Sequence, residues 1–219
     1  AGENFEEVYT FLSKDENPNR KKLLFSLELK DAKDLKASVL EDHLDCEQGD
    51  LPEEIFRKDL LCPRIFLEEL TPYRSMIRGF FEEETKRSFA EQPERILDYL
   101  KKNITFHPEE EYDTIMATPV GVLTMKQGSP LAQKILFVAI CRSLNVAARL
   151  NPVTLEPEYY RDGEFHSVET EAAVLKEETE SAVLTLRAED GSAWKYYQTW
   201  TIGKWNGTVF ELSLIHISE

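Results

Sequence analysis

The side chains that could carry covalent chemistry lie in the second half of the chain. Ser129 and Cys141 carry the candidate nucleophilic atoms, and His166 is the candidate base. A hydroxyl or thiol attacks well only when a histidine within hydrogen-bond reach takes its proton and a carboxylate orients that histidine. Ser129 or Cys141 acting with His166 would make the protein a hydrolase or an amidotransferase. This hypothesis depends on the elements that position the three residues.

The sequence contains no pattern typical of a metal-binding or phosphate-binding site. His107 precedes a proline and three glutamates, but no second histidine follows at a ligand spacing, so a solvated turn is expected there. Residues 118–128 contain no phosphate-binding glycine pattern. The sequence therefore predicts neither a metal nor an organic cofactor.

A buried central helix is the element around which the chain is organised. Residues 135–141 are seven consecutive apolar residues, so a helix here has no polar face at its centre and must be enclosed. Ser129 suits its N-cap and Pro130 suits its first turn. Asn145 is a plausible left-handed stop, after which residues 146–152 favour a strand. We predict a helix, a tight turn and a strand, with Cys141 buried and inert.

Antiparallel strands are predicted after this unit. Asp162-Gly163 stands between two aromatic-bearing arms, and Asp190-Gly191 and Asn206-Gly207 repeat the hairpin chemistry. Side chains alternate between the faces of a sheet, so Phe165 and His166 are expected on opposite faces, with His166 at a surface or edge. The predicted fold class is α+β, with helices first and an antiparallel sheet packed on the central helix.

Helical spacing dominates the first half of the chain. Amphipathic helices are predicted at residues 4–12, 18–27, 32–44, 52–61 and 93–104. Apolar residues at Phe66, Leu70, Tyr73, Ile77, Phe80 and Phe81 predict one buried stripe, with Pro72 as a kink or boundary. Arg74 and Arg78 flank the stripe. We expect them to pair with local glutamates, the alternative being a ligand carboxylate.

The central helix and its surroundings resemble the transglutaminase-like superfamily, whose pattern is Gly-x-Cys, an apolar helix and then Arg-x-Leu-Gly-Ile-Pro-Ala-Arg. The matching residues are Gly128, Phe137, Ala139, Arg142, Leu144, Val146, Ala148 and Arg149. Residues 62–65, 69–74, 118–121 and 197–202 are similar to bacterial members. The resemblance implies a papain-like cysteine-proteinase core that starts near Pro93 and a substrate cleft lined by the loop at 118–128.

The same register implies that the catalytic residues are missing. The nucleophilic cysteine of the family falls on Pro130, and its histidine falls within residues 154–157, beginning at Thr154. Only the carboxylate survives, near Glu169. Ser129 is then more simply a helix cap, and Arg142 and Arg149 are expected to anchor the ends of the central helix. We therefore predict a catalytically degenerate domain, with the rearranged enzyme as the alternative.

Charge and cysteine content limit the partners and the compartment. A net charge of −15 argues against nucleic acid or an anionic membrane as a partner. A peptide, protein or saccharide bound by the former cleft or by the sheet is expected instead, and the aromatic residues at 194–205 are interpreted as sheet packing. Three cysteines without metal spacing favour a reducing cytoplasm. A secreted protein or a lipoprotein is the alternative, because the chain begins with Ala1.

Composition and pattern divide the chain into three parts. We predict an N-terminal helical region at 1–92, an incomplete transglutaminase-like core at 93–211 and an artefactual tail at 212–219. The tail, from Leu212 to Glu219, resembles translated sequencing-adapter DNA, so the natural protein is expected to continue differently after Glu211.

Overall fold

The computed structural model describes residues 4–28, 31–107, 116–168, 203–205 and 210–212. The chain forms two compact units, residues 1–176 and residues 177–219. The larger unit combines helices with an antiparallel sheet, which confirms the predicted α+β class.

Short helices build the first part of the larger unit. They are α1 (Phe5–Ser13), α2 (Asn19–Leu24), α3 (Asp31–Asp34), α4 (Ala37–His43) and α5 (Glu53–Ile55), the last continuing as a π-helical turn at Phe56–Leu61. Their apolar sides meet in a first core cluster that includes Phe11, Leu40, Phe56 and Leu60. The cluster also takes in Ala147 and Tyr160 from the second half of the chain.

The next helices surround a second core cluster. They are α6 (Tyr73–Phe80), α7 (Glu83–Glu91), α8 (Glu94–Asn103) and α9 (Pro119–Met125). Helix α6 begins after Pro72, as predicted, but the predicted stripe is only partly right. Phe66 and Leu70 precede the helix, and Phe80 is 43% exposed because α6 buries Tyr73 and Ile77 instead.

Helix α9 corrects the expectation of a loop at residues 118–128. The Thr118 hydroxyl accepts a hydrogen bond from the Gly121 backbone N–H at 3.2 Å, and Pro119 occupies the first turn. Both are helix-starting features. Lys126, with φ of 56°, ends the helix in the left-handed region.

Helix α10 (Pro130–Ser143) is the central helix, and residues 135–143 are all buried. The Ser129 hydroxyl accepts a hydrogen bond from the Ala132 backbone N–H at 3.2 Å. At the other end Asn145 has φ of 63°, and the Val146 N–H returns to the Cys141 carbonyl at 3.0 Å. This closes the helix as predicted from the asparagine.

A three-stranded antiparallel sheet packs on α10 in the order β1 (Ala148–Leu150), β2 (Pro157–Arg161) and β3 (Glu164–Ser167). Asp162 and Gly163 connect β2 to β3 with φ of 53° and 89°. Two positive φ values favour Asp-Gly in a tight hairpin turn, which confirms the predicted hairpin.

The smaller unit contains one described strand pair, β4 (Gly203–Trp205) and β5 (Phe210–Leu212), which are antiparallel with Trp205 opposite Phe210. The predicted turn at Asn206-Gly207 lies outside the described residues. The strands predicted at 182–188 and 194–202, and the tail beyond Leu212, lie outside the described residues.

Candidate functional site at the start of the central helix

Pro130 is the first residue of α10 and is exposed. Its ring carries no atom that could attack a carbonyl. The neighbouring Ser129 hydroxyl is engaged as the acceptor for the Ala132 N–H, so this serine caps the helix.

An ion pair lies one helical turn after Pro130. The Lys134 Nζ atom lies 2.7 Å from Glu156 Oε1, and the two side chains are only 13% and 15% exposed. Lys134 lies four residues after Pro130, and helical side chains lean over the turn that precedes them. The lysine therefore extends over the turn that contains Pro130.

Glu156 lies within residues 154–157, the segment in which the resemblance places the histidine of the family. The Lys134–Glu156 pair thus joins the two regions in which a nucleophile and its base would meet. Sequence reasoning missed this pair. Two residues in the sequence could have indicated it: a lysine one helical turn after Pro130, and a glutamate within residues 154–157, where the resemblance places the histidine of the family.

Thr154 is exposed in a tight loop before β2. The Asn151 side-chain oxygen accepts hydrogen bonds from the Val153 and Thr154 N–H groups at 2.9 and 3.1 Å. The Thr154 hydroxyl accepts one from the Glu156 N–H at 3.3 Å. Leu155 has φ of 56°. These local bonds hold Glu156 where it meets Lys134.

Arg149 is the middle residue of β1, and its side chain has partners within the sheet. Its Nε atom donates to Glu158 Oε2 at 3.0 Å, and its guanidinium stacks over the Phe165 ring at 3.6 Å. Asn151 donates to the second Glu158 oxygen at 2.6 Å. Glu158 is buried on β2 and Phe165 lies on β3, so the described contacts of Arg149 join the strands of the sheet, whereas an anchor for an end of α10 was expected.

The two candidate nucleophiles of the alternative enzyme lie far from each other. Ser129 and Cys141 are separated along α10 by about 18 Å at 1.5 Å per residue. His166 lies on β3, where Nε2 is 3.1 Å from the Arg161 carbonyl oxygen and the ring stacks on Tyr159 at 5.4 Å. Glu169, the candidate carboxylate, lies outside the described residues.

Cys141 is expected to resist labelling by a bulky maleimide in the native protein. Its side chain is 1% exposed, and burial raises the pKa of its thiol well above the usual value. A thiol reacts as the thiolate, so both effects slow the reaction. Peptide mass spectrometry after timed labelling measures this. Equal labelling of Cys141 in native and urea-unfolded protein would contradict a buried central helix.

The partners of Arg74 and Arg78 are not the local glutamates that were expected. Arg74 is fully buried, and it donates from Nε to His43 Nδ1 at 3.2 Å and from Nη2 to the Leu60 carbonyl oxygen. Arg78 bonds the Ser143 carbonyl and the Asp45 carboxylate. Sequence spacing shows only partners on the same helix, whereas these partners come from distant elements.

Stability is expected to fall as the pH drops from about 6.5 toward 5, because unfolded histidine has a pKa near 6.5. Burial and the Arg74 cation hold the pKa of native His43 well below that value, so the unfolded state binds the proton first. The contribution of His43 to the free energy of unfolding is fully present above about pH 6.5. Urea midpoints at pH 7.5 and 5.0 measure it. A His43→Gln variant that keeps the full pH dependence would show that another group is responsible.

Two features are absent from the described residues. These residues contain no group of three or more His, Cys, Asp or Glu side chains placed to hold a metal ion. They also contain no helix with the length and apolarity needed to span a bilayer.

Comparison with known proteins confirms the resemblance seen in the sequence. No curated protein and no solved structure matches the chain. The model of the transglutaminase-like superfamily matches residues 74–195. Because this match covers more than half of the 219 residues, the chain belongs to the transglutaminase-like superfamily.

Proposed function

We propose that this protein is a catalytically degenerate transglutaminase-like domain that retains the fold of its superfamily and functions by binding a partner. The observation that carries the proposal is the Lys134–Glu156 ion pair at the start of α10. It joins the regions in which the family pattern places its cysteine and histidine.

The groups at this position do not replace the lost chemistry. An ammonium has three donors and no lone pair, and Pro130 has no nucleophilic atom. The Ser129 hydroxyl is held by the Ala132 N–H, and Cys141 lies three turns deeper in the core. An acyl transfer needs a nucleophile and a base that act as a unit. The described geometry therefore favours the degenerate domain over the rearranged enzyme.

A peptide or protein is the partner class that the charge favours. A chain with a net charge of −15 attracts cationic groups, which are common on protein surfaces and absent from neutral saccharides. A saccharide bound through the aromatic residues at 194–205 depends on side chains outside the described residues.

Neither amine incorporation into a glutamine-bearing protein nor amide hydrolysis is expected above the uncatalysed rate. Pro130→Cys is expected to leave both rates unchanged, because a lone thiol lacks the base that activates it. Product formation measured by mass spectrometry tests both reactions.

Ser129→Ala and His166→Ala are the decisive controls for this test. If the natural chain shows turnover and either substitution abolishes it, the proposal is overturned and the rearranged enzyme is established.

A further inference from the structure

A groove between α6 and α9 has no role in the proposed loss of catalysis. It encloses about 230 Å³ and is lined by Met76, Ile77, Gly79, Phe80, Val120, Leu123 and Thr124. Met76 and Phe80 are 53% and 43% exposed, which is high for large apolar side chains on facing helices. The Thr124 hydroxyl donates to the Val120 carbonyl at 2.6 Å, so it is already engaged within its own helix. The groove therefore suits apolar groups.

Gly79 is unexplained by the packing of the described residues. It is the penultimate residue of α6 and has helical backbone geometry, for which glycine offers no advantage over alanine. Its φ is not in the left-handed region, and a Cβ atom built on it would meet no atom within 4 Å. Neither backbone geometry nor the surrounding chain requires glycine here. Its absent side chain leaves space in which the backbone of another molecule can approach α6 closely.

The charge near the groove selects among possible occupants. Glu82, Glu83 and Glu84 follow Phe80 within four residues, and of these only Glu83 has an ion-pair partner in the described residues, Lys86. Lys126 lies at the C-terminal end of α9, the helix that forms the opposite wall of the groove. Like charge disfavours a second copy of this chain, since each copy carries −15. The volume is also below the roughly 300–1,000 Å³ of sites for drug-sized molecules.

We propose that the α6–α9 groove docks a cationic amphipathic helix of another protein, anchored by one or two apolar side chains beside Gly79. Such a helix would place its apolar face in the groove and its lysines or arginines toward Glu82 and Glu84. This deepens the proposed function, because it gives the binding role a site and a partner class.

A synthetic helix with leucines on one face and lysines on the other tests the site. Its affinity for the full chain is measured by fluorescence anisotropy, alongside a leucine and glutamate peptide of the same apolar pattern. The lysine peptide is expected to bind at least about tenfold more tightly, a difference of about 1.4 kcal/mol. Equal binding of the two peptides would overturn the charge assignment.

Gly79→Leu locates the interaction. The new side chain fills open space in the groove, so the fold is expected to remain intact and binding of the lysine peptide to weaken at least about tenfold. Met76→Lys, at a position that is 53% exposed, is a second variant that opposes a cationic partner. Phe25→Ala is the matched control, because Phe25 is 76% exposed and lies outside the groove.

Three outcomes would contradict this site. Unchanged binding by Gly79→Leu and Met76→Lys would show that the peptide binds elsewhere. An equal loss in Phe25→Ala would show a nonspecific apolar interaction. If the chain self-associates in sedimentation experiments and Gly79→Leu abolishes that self-association, the occupant of the groove is a second copy of the chain. The turnover assays are independent of these measurements, so failure of the docking site and failure of the degenerate-domain proposal can be told apart.

Discussion

Replacing Arg142 with alanine is expected to lower the free energy of unfolding by about 3–5 kcal/mol. Arg142 is 2% exposed and donates from Nε to the Ala148 carbonyl at 2.8 Å. Its Nη1 atom donates to the Cys62 and Arg64 carbonyls at 2.7 and 2.9 Å. Removing the guanidinium leaves these acceptors without their donor, and it also leaves a cavity at the end of α10.

Urea unfolding followed by circular dichroism measures this loss. Arg95→Ala is the matched control, because Arg95 is exposed and donates to the Ser88 hydroxyl on the neighbouring helix. Arg95→Ala is expected to lower the free energy of unfolding by less than about 0.5 kcal/mol, as most surface substitutions do. Arg142→Lys is expected to lie between the two, since lysine lacks the planar fork that reaches several acceptors. Equal stability of Arg142→Ala and Arg95→Ala would contradict the anchoring role.

A chain that begins at Pro72 is expected not to fold cooperatively. It retains α10 and the sheet, but it loses the Cys62 and Arg64 carbonyls that Arg142 bonds. It also loses Asp42, whose carboxylate accepts the Arg74 and Ser75 N–H groups at 2.7 and 3.0 Å and caps α6 from outside. Ala147 would lose the apolar neighbours of the first core cluster. We therefore expect the core to require the N-terminal helices.

Near-ultraviolet circular dichroism and urea unfolding of residues 72–219 test this, with the full chain as reference. The expected result is loss of the near-ultraviolet signal and a broad, weakly cooperative transition. A chain that deletes only residues 1–3 is the control and is expected to unfold like the full chain, because it keeps Asn4 and its bond to the Leu35 carbonyl. A sharp transition of residues 72–219 would show that the region before α6 is a separable domain, as a division at residue 92 implies.

Both predictions concern the position of the candidate site as well as stability. Arg142 fixes the C-terminal end of α10 to the segment after the π-helical turn, and Lys134 connects its N-terminal part to the loop before β2. The helix is held at both ends by side chains that bond partners distant in sequence. Loss of either contact is expected to alter the surface around Pro130.

The sequence by itself determined the elements whose chemistry is local. Seven consecutive apolar residues specified the buried helix, and Ser129, Pro130 and Asn145 specified its ends. Asp162-Gly163 specified the hairpin, because few residue pairs adopt two positive φ values. These signals depend on neighbours within about five residues, so they can be read from the chain directly. The prediction that the family's nucleophile is missing also rests on a single local residue, Pro130.

Only the tertiary structure decided which distant groups meet. Arg74 looked like a surface arginine in a helical pattern, yet it is buried against His43 and Leu60. The Lys134–Glu156 pair spans 22 residues, and the Arg142–Cys62 bond spans 80. Hydrogen bonds and ion pairs leave no periodic trace in a sequence, because their partners are brought together by the packing of whole helices. The Lys134–Glu156 ion pair and the open groove beside Gly79 are both consequences of that packing.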